Sequence, residues 1–565
     1  MSIPGPRRPR GFLLKLITTD LAFWGFLAVF LGGFLLYPIA GVFKQTFAFG
    51  GELSFKLFWH TISGMLVSRA LLNSLALGIV AVALTTLMAM PLAFFVARYE
   101  FRFKKLASAL VLIPMIMPPF VGAIGIRRIF SHYGMINSLT GLDVNWLGDL
   151  GFWGVACLQA LHLFPIMYLN VTAALANVDP QLEEAAAVAG ASRWRVFRDV
   201  TLPLLSPGFL AGAIIVFLWS FTDLGTPLVF GYRRVLAVEI FDRIDAINND
   251  PTGAAMVVLV ILVTVLFLVV FKRFLGGHTI ESASKGQAAS VMHRPSAPVM
   301  GLFYAYVAVL LFISLLPHVG LILTSVAGDW FMTAFPSDYT MRFFGEAITA
   351  PGVAVAVRNS LLYSSLSTIV DVVLGFGIAY YLLRRGIRAG WLVDAIVMLP
   401  VALPGLILAF GYVAVFSGTP LDPLKNPIPL LVIGYSVRRL PYCFRAAYAG
   451  LQQVSPQYEE AARAAGASAS RAALTITVPL IGANLIAGGI LAFMFAMLEV
   501  SESMVLAVLP QYFPVTRQIY DLLGNIPNGD YVASALGVLC MLFLAGGMMF
   551  VSVLMGRRLG RMFRL

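Results

Sequence analysis

The chain has 565 residues, 59% of them hydrophobic and only 12% charged, with a formal net charge of +12. Soluble domains carry about 25% charged residues, so a fold of this length has too little polar surface to face water on every side, and lipid must be its main solvent. The basic excess falls in short segments between apolar runs, where it reads as a topology signal and not as a nucleic-acid footprint.

In chain order, Arg7, Arg8, Arg10 and Lys15 precede the first apolar run, which is of full membrane length and has no cleavage pattern, so a retained first helix is expected. Runs near 21–43, 70–97, 106–130, 151–176, 208–230 and 254–275 are followed by runs near 300–327, 357–384, 391–416, 427–450, 482–509 and 531–555. Each is close to the roughly 20 residues that cross a hydrocarbon core as a helix. Continuous runs of this length exclude the short alternating strands of a β-barrel. The expected fold is an all-α integral membrane protein of about twelve transmembrane helices. Most Lys and Arg clusters, such as Arg98 to Lys105, Arg193 to Arg198 and Arg384 to Arg388, then fall on one side, the cytoplasm, together with both termini. The expected segments are a cytoplasmic N-terminus 1–20, a first half 21–275, a polar cytoplasmic linker 276–299, a second half 300–556 and a cytoplasmic C-terminus 557–565. Cys157, Cys443 and Cys540 lie in apolar runs without disulfide or metal-ligand spacing.

The two halves repeat. Asp179-Pro180-Gln181-Leu182-Glu183-Glu184-Ala185-Ala186 returns as Ser455-Pro456-Gln457-Tyr458-Glu459-Glu460-Ala461-Ala462, an offset of 276 residues that also carries Pro203 to Pro479 and Phe217 to Phe493. Upstream, Asn73-Ser74 returns as Asn359-Ser360 and Pro114 as Pro400, an offset of 286. Two six-helix units of the same orientation form a parallel repeat, related by an axis along the membrane normal.

The repeated segments, 179–203 and 455–479, lie between the fourth and fifth runs of each half. Asp179 or Ser455 can cap a helix, with Pro180 or Pro456 in its first turn. The paired glutamates suit the positive end of the helix dipole. Alanines keep the helix thin, and Gly190 or Gly466 can end it in the left-handed conformation. Ser192 or Ser468 can cap a second short helix that runs toward Pro203 or Pro479.

This pattern resembles the Glu-Ala-Ala loop of binding-protein-dependent ABC permeases, in which Glu-Ala-Ala is followed by three residues, Gly, nine residues and Ile-x-Leu-Pro. The first copy reads Glu184-Ala185-Ala186, Gly190 and Val200-Thr201-Leu202-Pro203; the second reads Glu460-Ala461-Ala462, Gly466 and Ile476-Thr477-Val478-Pro479. Val200 and Val478 depart conservatively. The resemblance covers residues 20–560 and implies the pore-forming permease subunit of an ATP-driven importer with both permease halves fused. It implies that Glu184, Ala185, Ala186 and Gly190 contact one ATP-binding subunit, and Glu460, Ala461, Ala462 and Gly466 a second, as helices docked in a groove. It further implies a homodimeric ATPase, a periplasmic or surface-tethered substrate-binding protein, a bacterial inner (plasma) membrane location, and alternating access. The chain itself has no phosphate loop, since the dipeptide Gly-Lys does not occur. ATP hydrolysis is therefore assigned to a partner, and no catalytic residue, metal or cofactor is expected.

Ionisable groups at bilayer depth are costly and mark candidate pathway residues. His162 and, at the same repeat position, Arg438 with Arg439 either face an anionic substrate or pair with carboxylates between helices. Asp223, its repeat partner Glu499, and Glu502 either line the path or pair with those basic residues. Asn73 and Asn359 are expected to bond between helices. Single-chain permeases of this kind resemble the ferric-iron, 2-aminoethylphosphonate and thiamine branch, in that order of expectation. An ion-coupled secondary transporter shares twelve helices and two halves, but has no need of the repeated loop.

Overall fold

The computed structural model describes residues 22–48, 53–147, 151–176, 178–244, 246–247, 250–276, 295–385, 390–525 and 527–555. Both chain termini and most of the expected linker 276–299 lie outside the described residues. Among the described residues, eight helices are long and apolar enough to cross a membrane, and eleven if three sharply bent pairs each count as one. In the first repeat these are Ala22–Phe47, Met65–Arg98, the pair Lys104–Met115 and Pro119–Thr140, then Phe152–Ala176, Arg193–Phe221 and Thr252–Phe271. In the second they are Ala297–Val326, Val353–Arg385, the pair Gly390–Ala402 and Gly405–Phe416, the pair Ala469–Leu480 and Gly482–Met497, and Gly529–Gly547. Ile428–Gln453 holds the fourth place of the second repeat; it is 26 residues long but carries Arg438, Arg439 and Arg445. The helices are called first to sixth within each repeat below.

Two features depart from twelve uninterrupted runs. The third helices bend by 92° and 99°, and the second repeat's fifth helix by 76°. The first two bends sit at Pro118-Pro119 and at Pro404, where proline withholds an amide donor and steers the preceding residue away from helix. The third falls at Ile481-Gly482, just past Pro479. The fifth runs, expected to reach 230 and 509, instead stop at Phe221 and Met497. Each is followed by a separate short buried helix, Gly225–Phe230 or Ser501–Leu506. Asp223 begins one, its Oδ1 accepting from Gly225 N at 3.1 Å, and Glu499 begins the other, its Oε1 accepting from Glu502 N at 3.2 Å.

The chain packs as two compact units that cut across the repeats. One joins Met1–Ser54 to Tyr363–Ala496, and the other joins Phe55–Leu362 to Met497–Leu565. The first helix of each repeat is thus exchanged. In the smaller unit, Tyr412 Oη donates to Phe34 O at 2.8 Å and Phe23 stacks on Tyr381 at 4.7 Å. In the larger unit, the first helix of the second repeat lies on the first repeat's third helix, and also on its own sixth helix. There Tyr306 Oη donates to Met88 O at 2.5 Å and Tyr304 Oη to Arg102 O at 2.7 Å. The first and third helices meet glycine on glycine: a Cβ added to Gly320 would lie 2.6 Å from Gly125 O, and one added to Gly125 would lie closer still to Pro317 O. With no hydrophobic drive between helices in lipid, such small-residue contacts give the packing its dispersion energy.

Gly320→Val is therefore expected to lower the thermal stability of the detergent-solubilised chain by about 1–3 kcal/mol through forced separation of these helices. Gly345→Ala, inside the helix Arg342–Thr349 where an added Cβ meets nothing within 4 Å, should instead raise the melting temperature slightly in the same thermal-shift assay, because alanine is the better helix former.

Candidate functional site

The two repeated loops fold alike. Pro180–Val188 starts at Asp179, whose Oδ1 accepts from Gln181 N at 2.9 Å. Gln457–Ala464 starts one residue later in its repeat, at Pro456, and Ser455 Oγ accepts from Gln457 N at 3.4 Å. Both helices end on a left-handed glycine, with φ of 87° at Gly190 and 95° at Gly466. Ala191 N donates to Ala186 O and Gly190 N to Ala187 O, each at 3.0 Å; Ala467 N to Ala462 O and Gly466 N to Arg463 O repeat the pair at the same distance. This is the Schellman closure, which satisfies carbonyls that a helix end would leave bare. Nothing lies within 4 Å of a Cβ added at either glycine. The requirement for glycine is thus purely conformational, a side chain costing roughly 1–2 kcal/mol there. Ser192 and Ser468 then cap the next helices through Arg195 N and Arg471 N.

The first glutamate of each pair does the anchoring. Glu183 Oε1 accepts from Arg98 Nη2 and from Thr201 Oγ1, each at 2.5 Å. Glu459 Oε1 accepts from Thr477 Oγ1 at 2.5 Å and from Arg384 Nε at 3.3 Å, and its Oε2 accepts from Tyr380 Oη at 2.8 Å. Arg98 and Arg384 end the second helices, so each loop is tied at once to the second and the fifth helix of its repeat. Thr201 and Thr477 each close a single π-helical turn, Phe197–Thr201 or Ala473–Thr477, which widens the fifth helix where the carboxylate enters. Arg384 Nη2 also donates to Val454 O at 2.7 Å and to Leu451 O at 3.3 Å, at the end of the fourth helix.

The motif residues on either side face outward. Glu184, Ala185, Gly190, Glu460, Ala461 and Gly466 are exposed, and Ala186 and Ala462 are half-buried. Beside them Val188 is 89% exposed, Trp194 67% and Tyr458 58%. Large apolar side chains left bare around a thin helix mark an interaction surface. Sequence reasoning missed Glu183, Arg98 and Thr201, and Glu459, Arg384 and Thr477. The signal was present, because the two trios obey the offsets of 276 and 286 residues found elsewhere in the repeat.

At the opposite end of the second helices a matching latch forms. Asn73 Nδ2 donates to Arg234 O at 2.9 Å and Ser74 Oγ accepts from Leu236 N at 3.0 Å. In the second repeat, Asn359 Nδ2 donates to Gln511 O at 2.9 Å and Phe513 O at 3.2 Å, and Ser360 Oγ accepts from Val515 N at 2.8 Å. The asparagines therefore bond to the backbone that follows the short buried helices.

Several of the intramembrane candidates make hydrogen bonds to neighbouring helices or turns. Asp223 Oδ2 also accepts from Gln159 Nε2 at 3.1 Å. His162 Nδ1 lies 3.0 Å from Pro114 O, a carbonyl that Pro118 cannot serve with an amide. Arg439, 5% exposed, donates from Nη2 to Phe495 O at 2.9 Å, near the end of the fifth helix, and lies over the Tyr435 ring. The fully buried Asp371 accepts from Ser436 Oγ at 2.6 Å, one turn from Arg439. Arg438 is half-buried, and Glu499 and Glu502 are buried around the second repeat's short helix. Thr516 Oγ1 donates to Glu499 O at 2.6 Å. Further along, Arg517 lies between the rings of Phe513 and Tyr520, and burial pushes its guanidinium below the usual arginine value.

The family model for the binding-protein-dependent transport system inner membrane component matches the chain twice, over residues 89–280 and 371–562, each match containing one loop. The chain is 25% identical over 538 residues to the ferric transport system permease protein FbpB of Actinobacillus pleuropneumoniae, covering 93% of this chain and 76% of that protein. It is 24% identical over 506 residues to the Fe(3+)-transport system permease protein FbpB 2 of Haemophilus influenzae, covering 89% and 90%. The molybdenum transport system permease protein ModB of Mycobacterium tuberculosis aligns at 29% identity over 256 residues, 44% of this chain but 92% of that protein, so one ModB corresponds to about one half. In this family ATP hydrolysis lies in separate ATPase subunits and a binding protein delivers the substrate. The chain belongs to the binding-protein-dependent transport system inner membrane component family, as a multi-pass, fused two-domain permease subunit of a bacterial type I ABC importer.

Proposed function

We propose that the loops 179–203 and 455–479 are the levers through which two copies of one ATPase move the pore. Glu184, Ala185, Ala186 and Gly190 face one copy, and Glu460, Ala461, Ala462 and Gly466 the other. The loop-bearing end is then cytoplasmic, with both chain termini on that side of the inner membrane. The observation that carries this reading is the same carboxylate anchor under both exposed loop helices. A force applied to the bare face of a loop reaches the second and fifth helices through Glu183 or Glu459, without bending the loop itself. Closure of the ATPase on ATP would draw the loops together and open the path away from the cytoplasm, where a periplasmic or surface-tethered binding protein delivers substrate. Hydrolysis would restore the first state. Such a switch requires two states a few kcal/mol apart, each favoured by different ligands.

The cargo is ferric iron. Relatives named for ferric transport cover most of this chain, and Asp223, Glu499 and Glu502 supply the hard oxygen donors that such an ion favours along a path. Arg438 and Arg439, at the repeat position of His162, are basic groups that an anionic iron complex would suit. 2-Aminoethylphosphonate and thiamine are the competing cargoes. Reconstitution with the binding protein and ATPase tests the choice: ferric iron on its binding protein should stimulate ATP hydrolysis, and stimulation by either competitor in its place would reassign the cargo.

Two variants test the levers. Gly466→Pro removes both the left-handed φ and an amide donor, and should abolish stimulated hydrolysis and transport while membrane insertion stays normal; unimpaired ATPase coupling would refute the assignment. Glu459→Ala leaves Arg384 buried without its carboxylate, a loss of about 3–5 kcal/mol, and should lower the melting temperature. Glu460→Ala should leave the melting temperature alone and weaken only the association with the ATPase, measured by co-purification.

A further inference from the structure

Within the larger unit, a cavity of about 10 Å³ lies between the first repeat's fourth helix and the second repeat's first helix, lined by His162, His318, Met117, Ser314, Pro114 and Leu158. That volume holds one water or one bare ion. His318 is 6% exposed, and neither ring nitrogen has a hydrogen-bond partner among the described residues. The Ile113 carbonyl faces that ring without meeting hydrogen-bond geometry. An imidazole so buried and so poorly matched is costly unless something occupies the space beside it.

Other possible donors line the same cavity. With Nδ1 of His162 on the Pro114 carbonyl at 3.0 Å, the ring carries its proton there and presents the Nε2 lone pair. A backbone carbonyl on one imidazole nitrogen, fixing the tautomer so that the other can ligate, is the usual support of a metal-bound histidine. Met117 is 2% exposed and adds a thioether. Ser314 Oγ is already committed to Leu311 O at 3.2 Å, and no carboxylate lines the space.

We propose that His162, His318 and Met117 form a site for a soft monovalent cation, of the Cu(I) class. The donor set selects it. Two neutral imidazoles and a thioether suit Cu(I), whereas hard ions require oxygen. Charge selects it again: with neutral ligands alone, burial of a divalent ion is opposed by a Born term about four times that of a monovalent one, because that term grows with the square of the charge. The occupant would pin the exchanged first helix of the second repeat to the fourth helix of the first, beside the bend at Pro118. This site is independent of the cargo and of the loops.

The test uses Ag(I), a redox-stable surrogate, supplied as the nitrate in chloride-free buffer to the full chain purified in detergent. Cys157, Cys443 and Cys540 are first replaced by alanine to remove thiol binding, with an unchanged melting temperature as the check on folding. One Ag(I) per chain should bind tightly by calorimetry and by elemental analysis after desalting, and should raise the melting temperature. Met117→Leu, which conserves volume, should weaken binding at least tenfold, and His318→Leu should abolish it. Equal binding by the parent and both variants, or no tight Ag(I) in the parent, would overturn the site and leave the cavity to a water molecule.

Discussion

A carboxylate withdrawn from water needs partners of opposite charge or good donors, and in each loop the same glutamate finds both. Glu183 takes Arg98 and Thr201, while Glu459 takes Arg384, Thr477 and Tyr380. Side-chain exposure at the ion pair is 17% and 21% in the first repeat, and 11% and 9% in the second. Screening by salt and water is weak at such exposure, and loss of either partner strands the other. The anchor therefore resists shear between loop helix, second helix and fifth helix. The π-helical turns that end on Thr201 and Thr477 belong to the same device, since each extra residue in the turn brings the threonine hydroxyl onto the carboxylate.

The neighbouring glutamate has the opposite fate. Glu184 and Glu460 are one residue further along helices of only two to three turns, and they face water. One side of each loop helix is thus committed inward and the other kept bare, with Val188, Trp194 and Tyr458 around it. With the two faces separate, the proposed ATPase partner would grip the loop without competing for the bonds that hold it. At the far end of the same second helices, the Asn-Ser latches hold the backbone after the short buried helices. Each second helix is consequently bonded near both ends, a suitable shape for a rod that carries displacement through a bilayer.

Much of this was legible in the chain. Length and composition gave an all-helical membrane protein. The offset between repeats gave two halves, and the Asp or Ser cap, the paired acids and the terminal glycine gave the loop helices almost residue by residue, because capping and left-handed glycine are local effects. Less legible were effects that depend on distant neighbours. Hydropathy reads 106–130 and 391–416 as continuous, although Pro118 and Pro404 break them, because proline leaves the apolar count intact. It likewise ran the fifth helices through Asp223 and Glu499, which instead precede new short helices and accept from amides of their first turns. The exchange of first helices left no local trace, since its glycine contacts pair Gly125 with Gly320, nearly two hundred residues apart. The bond from Arg439 to the Phe495 carbonyl joins residues 56 apart and left no local trace either. Glu183 and Glu459 were visible but were overshadowed by the motif glutamates beside them.

The central claim is that each loop moves as one body with the second helix it is anchored to. Spin labels on Arg463 and Arg385, both exposed in the smaller unit, in a cysteine-free chain assembled with its ATPase, report the distance between loop helix and second helix by double electron–electron resonance. The account predicts one narrow distance distribution that is the same without nucleotide and with ATP bound, and that broadens when Glu459 is replaced by glutamine. A clear shift of the native distance on ATP binding would contradict it, because the loop would then be sliding past the helix it is supposed to move.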